Sequence, residues 1–222
     1  MPQRFTPLVN EEYYHIFNRG VASQPTYLAK RDYEKFTQCI SYYRFNNLPC
    51  RLSKLLMLPK DEREQILKGL EKREDKVVEI NAFCLMPNHF HLLIKQVRDG
   101  GISKFMRQLS DSYTRYFNIK YERVGPVFQG AFKAVHVGTD EQLIHLSRYI
   151  HLNPLTSFVV KEKYFTDYPW SSLKNYLSRN SNVINTKTIL AQFKSVKEYL
   201  EFIMDQADYS KELKKIKHLA LE

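Results

Sequence analysis

Four residues carry types and spacings that could do chemistry: His89 and His91, separated by one large hydrophobe, and Tyr149 and Asn153, four apart. The run HFHLLIKQ from His89 to Gln96 reads as a strand. Side chains alternate faces along a strand, so His89, His91 and Leu93 share one face and Phe90, Leu92 and Ile94 the other. A lone histidine beside an apolar strand is usually a hydrogen-bonded or half-exposed residue. A pair held two residues apart on a stiff element can instead converge on one metal ion. Tyr149 and Asn153 lie one helical turn apart, on one side of a helix. His89, His91 and the Asn153 side-chain oxygen could hold a divalent cation and leave positions for water or a phosphate oxygen. Beside such a cation Tyr149 could attack phosphorus and form a covalent phosphotyrosine. A phenol with a free pKa of about 10 is a poor nucleophile, and a nearby cation would favour the phenolate.

The elements that must position these residues can be read in order. Tyr13 to Arg19 is an aromatic-rich strand closed by Gly20. Asp32 to Phe45 has helical spacing, with Tyr33, Phe36, Ile40 and Tyr43 on one stripe. Lys60 to Asp75 is a highly charged helix with a thin apolar stripe of Ile66, Leu67 and Leu70, best read as a solvated surface helix. Val77 to Met86 and His89 to Gln96 form a hairpin around Pro87-Asn88, which is turn chemistry. A long helix runs from Ile102 to about Tyr121, with Lys104, Arg107 and Arg115 opposite its apolar stripe. Val127 to Val137 is a further strand, with Gly130 as a bulge. Thr139 caps the next helix with Gln142 three residues later. That helix is expected to stop at Pro154, because the residue before proline avoids helical angles. The order to that point predicts an α+β fold: a ferredoxin-like βαββαβ antiparallel sheet with helices on both faces. The first two helices would cover Phe90, Leu92 and Ile94, and the last would cover the His89 and His91 face. Residues 1–160 would form the catalytic unit, with a charged helical insertion at about 50–75. Residues 161–222 would be a helical extension whose last dozen residues fray.

Composition narrows the partners. The chain has 222 residues and a net charge of +10, which suits a polyanion, nucleic acid before a membrane surface. Cys39, Cys50 and Cys84 are an odd number without paired spacing, which argues for a reducing cytoplasm and against a disulfide frame or zinc ribbon. No run resembles a membrane span or a signal peptide. Arg19, Lys133 and Arg148 lie near the candidate site in sequence and could hold phosphates; each could equally be a surface charge. Tyr113 and Tyr116 coincide with an apolar stripe, so core packing is the better reading for both. His136 and His151 lie near the motifs but read as core or surface, and His15 and His145 have no nameable partner.

The segment PNHFHLLI (Pro87–Ile94) resembles the histidine–hydrophobe–histidine motif of the HUH endonucleases, and YIHLNP (Tyr149–Pro154) the nucleophile motif of their single-tyrosine transposases. With NRG (Asn18–Gly20), GPVFQGAFK (Gly125–Lys133) and YPWSS (Tyr168–Ser172), the pattern is most similar to the REP-associated tyrosine transposases over roughly Tyr13 to Ser172. The resemblance implies a metal-dependent enzyme that nicks single-stranded DNA near a hairpin, forms a 5′-phosphotyrosine and leaves a free 3′-OH. It also implies a homodimer with composite active sites. By this resemblance His89 and His91 match the metal-binding pair, Tyr149 the nucleophile, and Asn153 a third ligand where relatives often carry Gln. The charged insertion and the segment after Asn175 depart from the pattern.

Imidazole suits transition metals better than Mg²⁺, which prefers oxygen and keeps its waters. Zinc fits the ligand types; phosphoryl chemistry on DNA selects Mg²⁺ or Mn²⁺. Two other functions use the same residues: a non-catalytic DNA-binding protein derived from a transposase, and a metal-dependent hydrolase that activates water instead of Tyr149.

Overall fold

In the computed structural model of the chain, which describes residues 7–178 and 182–207, strand β1 (Tyr13–Arg19) is followed by helix α1 (Lys30–Tyr43). Helices α2 (Leu52–Leu55) and α3 (Lys60–Arg73) intervene before the hairpin of β2 (Val78–Met86) and β3 (His89–Gln96). Then come α4 (Gly101–Lys120), β4 (Lys133–Val137) and α5 (Asp140–Thr156). The extension carries α6 (Leu173–Ser178), α7 (Lys187–Leu190) and α8 (Val196–Met204). The expectation of a frayed final dozen residues lies outside the described residues.

The sheet order is β2-β3-β1-β4, all neighbours antiparallel, which is the ferredoxin-like arrangement expected. Helices α1 and α4 pack together under one face; α5 crosses the other face over β2 and β3. The alternation read in β3 decides which side chains go where. Phe90, Leu92 and Ile94 are fully buried on the α1/α4 side, with the Phe90 ring 5.1 Å from Phe36 and 5.4 Å from Phe128. Strand β2 is buried along nearly its whole length because helices cover both faces of the sheet there, and its register shifts between Ile80 and Ala82. The extra residue switches parity, so Val78 and Ile80 pair with the α1/α4-side residues of β3, whereas Cys84 and Met86 pair with His91 and His89.

The start of α4 requires glycine for a steric reason. A Cβ on Gly101 would sit 2.2 Å from the Val77 carbonyl oxygen. From there Ile102, Phe105, Met106, Leu109, Tyr113 and Phe117 form the buried stripe, as the spacing predicts. The far end of α4 is tied to α1 by Asp32, a fully buried carboxylate. It accepts from the Leu28 and Ala29 amides (2.8 Å each), Lys120 Nζ (2.6 Å), Tyr121 Oη (2.7 Å) and Tyr116 Oη (2.9 Å). Burial alone would raise this carboxyl, but the bonds from Lys120 and Tyr121 hold its pKa below the ordinary carboxylate value. We expect Asp32→Asn to lower the unfolding free energy by roughly 3 kcal/mol at neutral pH, the scale of breaking a buried charge pair. Because the folded pKa is depressed, this stabilisation is present above about pH 4 and is lost as pH falls through the folded value. Urea unfolding at pH 7 and pH 3 should therefore show the gap between wild type and variant closing in acid; an equal gap at both would contradict the account.

Two boundaries differ from expectation. Ladder pairing in β4 begins only at Lys133: Phe128 makes an isolated bridge to Gly20, and Gly130 takes φ +63, which turns the chain out of the sheet. Helix α5 runs through Pro154 to Thr156. Proline removes only its own N–H from the ladder. The last turn persists because Leu155 and Thr156 are buried, and because Thr156 Oγ1 donates to the Leu152 carbonyl and the Ser157 amide to that of Asn153. The cap on α5 is also shifted: Thr139 Oγ1 accepts from the Gln142 amide, but Gln142 reaches back to the amide of Gly138.

Buried leucines and a buried cation dock the charged insertion: Leu52, Leu55 and Leu70 join the core. Arg44 is buried and its guanidinium meets Glu71 of α3 while lying over the Phe45 ring. The extension covers the free edge of β2: the Leu85 amide donates to the Trp170 carbonyl, Ser172 to Phe83, and Asn185 to Ile80.

Candidate active site

The site face of the sheet is fixed by register. Arg19 lies opposite His89, Phe17 opposite His91 and His15 opposite Leu93, so Arg19, Phe17 and His15 share the face that carries both motif histidines. From β4, Lys133 lies opposite Phe17 on the same face, its Nζ 5.9 Å from the Phe17 ring centre. Helix α5 covers the β2 and β3 half of this face. Over β1 and β4 the face is partly open: His15 and Phe17 are half-buried, Val135 is 53% exposed, and Arg19 and Lys133 are exposed.

The His89 and His91 rings stand edge-on, 5.0 Å apart between centroids. Tyr149 on α5 meets them from above, its ring 5.4 Å from His91 and 6.0 Å from His15, edge-on to both. Tyr149 is 45% exposed, so the ring is held on one side and reachable from the other. Asn153 is buried one turn later, and its Nδ2 donates to the Tyr149 carbonyl at 2.9 Å. Partial burial pushes the Tyr149 phenol above its usual value, and the Asn153 amide offsets part of the rise.

Each histidine has a distinct hydrogen-bonded setting. His89 Nδ1 lies 2.7 Å from Asn88 Oδ1. His91 Nδ1 lies 2.9 Å from His15 Nε2, the two rings stacked at 5.1 Å between centroids. Burial lowers His15 to about 4, so this ring is neutral at physiological pH. His15 is the residue that the linear reading left without a partner. In the β3-β1 register of the structure the odd-numbered residues of Tyr13–Arg19 share a face with His89 and His91, a parity that neither strand carries in its own sequence.

The donor types read from the sequence, two imidazoles and one amide, suit a divalent cation. Among the described residues, no three His, Cys, Asp or Glu side chains converge as a cage. The set at this site is instead two imidazoles and one amide. Open positions completed by water or phosphate oxygens are what phosphoryl chemistry requires.

Of the cations named from sequence, Arg19 and Lys133 reach this face, and Arg19 Nε donates to Gln129 Oε1 at 2.6 Å. Arg148 does not. One residue before Tyr149, it points around the helix to α8, its guanidinium 4.2 Å from the Phe202 ring centre and donating to the Phe202 carbonyl at 3.3 Å. His151 is also turned to the extension, fully buried between Tyr199 Oη (2.8 Å) and Ser172 Oγ (2.7 Å), with burial lowering it to about 3. His136 faces the other side of the sheet beside Tyr14 and pairs with Glu12 at 2.8 Å. Tyr113 is fully buried under the sheet with its hydroxyl on the Thr26 carbonyl, and Tyr116 donates to Asp32. A groove of about 1400 Å³ runs along α4, but its lining includes Asn18 and Phe128 from the opposite side of the sheet and none of the four motif residues.

Residues 55–153 match the family model described as "Transposase IS200 like", a span that contains His89, His91, Tyr149 and Asn153. In fold the chain is similar to a REP-associated tyrosine transposase solved bound to a REP hairpin, with TM-score 0.56 and 16% identity over 83% of this chain and 92% of that one. A candidate transposase of Deinococcus radiodurans R1 also aligns, at TM-score 0.28 and 14% identity over 67% of this chain and 95% of that one. No curated protein matches the chain. Among the described residues, no helix is long and apolar enough to cross a membrane. The match to the IS200-like transposase model spans rather less than half of the chain, on a fold similar to that of a REP-associated tyrosine transposase.

Proposed function

We propose that the chain is a metal-dependent transposase that nicks single-stranded DNA near hairpins and transfers the strand through a 5′-phosphotyrosine at Tyr149. One observation carries the reading: the Tyr149 ring lies 5.4 Å from His91 on a half-open face of the same chain. In this reading the Tyr149 oxygen bonds to phosphorus, the P–O3′ bond breaks, the phenolic proton is lost, and the departing oxygen takes up a proton as a free 3′-OH. His89, His91 and the Asn153 amide oxygen would hold Mg²⁺ or Mn²⁺. When bound, such a cation supplies charge stabilisation to the phosphodiester and favours the phenolate. The strand would run over the open β1 and β4 half of the face, its phosphates against Arg19 and Lys133 and a base against Phe17.

The catalytic unit would comprise residues 1–160 with its charged insertion, and residues 161–222 the extension. The contacts of Arg148 and His151 with α8 and the β2 edge support a Tyr149 that acts on its own chain's site. A homodimer would then bring two complete sites together rather than build one between subunits.

A labelled hairpin oligonucleotide with a single-stranded flank tests the reading. A covalent protein–DNA adduct is expected with Mg²⁺ or Mn²⁺. Product release without an adduct would instead support the water-using hydrolase, and binding alone the non-catalytic protein. With a net charge of +10, affinity for the same oligonucleotide should fall linearly in log–log form as salt rises. A flat salt response, or equal affinity for a blunt duplex, would contradict recognition of a charged single strand at this face.

A further inference from the structure

The two motif histidines are each gripped at the same ring atom by a different part of the chain. Asn88 precedes His89 in the hairpin turn. Its Nδ2 donates to the Ser23 carbonyl at 3.1 Å, and a carbonyl can only accept, so the amide orientation is set and Oδ1 faces His89. An amide oxygen can only accept as well. His89 Nδ1 therefore carries the proton, and the lone pair sits on Nε2. The turn is held in place by the Gly20 amide, which donates to the Asn88 carbonyl at 2.7 Å. Gly20 is required there, since a Cβ would lie 2.1 Å from the Gln24 carbonyl oxygen.

His91 is served from another strand. The 2.9 Å contact between its Nδ1 and His15 Nε2 leaves two choices. If His15 donates, neutral His91 carries its proton on Nε2 and neither ring nitrogen can take a cation. If His91 donates, His15 is the acceptor and His91 matches His89, with Nε2 as the basic atom. Only the second makes the two histidines chemically equivalent.

We propose that Asn88 and His15 are positioning residues: Asn88 holds the Nδ1–H of His89 and His15 that of His91, so that both imidazoles present Nε2 to one divalent cation. The inference rests on the reading of His89 and His91 as cation ligands and adds what selects their tautomer and ring orientation. Outer partners of this type fix ligand tautomers, and their loss typically weakens metal binding about 10- to 100-fold.

The test uses the full chain, ¹⁵N-labelled and metal-free, with imidazole ¹⁵N shifts assigned through His89→Ala and His91→Ala. Both histidines should be Nδ1–H tautomers. Nε2–H at either would overturn the proposal for that residue. His15→Phe keeps a flat ring but removes the acceptor, and should move His91 toward Nε2–H. Mn²⁺ affinity, read by electron paramagnetic resonance without DNA, should fall by about tenfold or more. His15→Gln returns an acceptor oxygen and should recover both readouts, which a purely packing role for His15 would not produce. Asn88→Ala and Asn88→Asp form the matching pair for His89. An unchanged tautomer and unchanged Mn²⁺ affinity in His15→Phe and Asn88→Ala would overturn the proposal. Nδ1–H tautomers that depend on Asn88 and His15, in a wild type that binds no Mn²⁺, would sustain the positioning and sink the cation reading instead.

Discussion

Tyr149→Phe is expected to abolish covalent attachment to DNA, with cleavage reduced by at least about four orders of magnitude, the scale of deleting a nucleophile. The substitution removes one oxygen from a ring that is already 45% exposed. The ring keeps its edge contacts with His91 and His15, so the stability cost should stay within about 1 kcal/mol. Mn²⁺ and hairpin binding should be nearly unchanged, since the proposed ligands and the Arg19 and Lys133 rim are untouched. The wild-type pH profile carries a sign. Partial burial raises the phenol, so Tyr149 is protonated at neutral pH and its phenolate fraction grows as pH rises. Adduct formation should accordingly increase from pH 6 toward pH 9. A rate that falls across this range would argue against rate-limiting loss of the Tyr149 proton. Tyr113→Phe and Tyr116→Phe are the controls. Their hydroxyls serve the Thr26 carbonyl and Asp32 beneath the sheet, so any loss should track stability and not chemistry.

His89→Ala and His91→Ala should each abolish cleavage and weaken Mn²⁺ binding while the fold survives. Neither ring belongs to the cluster of Phe36, Phe90 and Phe128 that packs β3 onto the helices. His91→Ala should be the more destabilising, because His91 is only 6% exposed and contacts His15, Phe17 and Tyr149. The informative comparison is cleavage in chelator-treated buffer with and without added Mn²⁺, beside thermal unfolding of the same variants. Near wild-type cleavage by either variant without added metal would remove the metal assignment.

Much of this arrangement was legible from periodicity. Strand alternation separated Phe90, Leu92 and Ile94 from His89 and His91, and the element order gave the β2-β3-β1-β4 sheet that puts them on opposite faces. His15 was missed because its significance depends on cross-strand register, which a linear pass does not compute. Arg148 was misplaced because nothing in its own segment announces that α8 will cover that side of α5 and take the guanidinium onto Phe202. The same covering explains the burial of Asn153: sheet on one side and extension on the other bury nearly the whole end of the helix. Pro154 misled for a related reason, since tertiary burial of Leu155 and Thr156 outweighs the local preference to stop.

The central claim, that Tyr149 is the residue that bonds to DNA, is tested most directly by mass spectrometry of the proteolysed adduct formed on a hairpin-flanked single strand with Mn²⁺. The account predicts a nucleotide remnant on the peptide containing Tyr149 and none in Tyr149→Phe. A remnant on a peptide containing Tyr113 or Tyr116, or an adduct that persists in Tyr149→Phe, would contradict it.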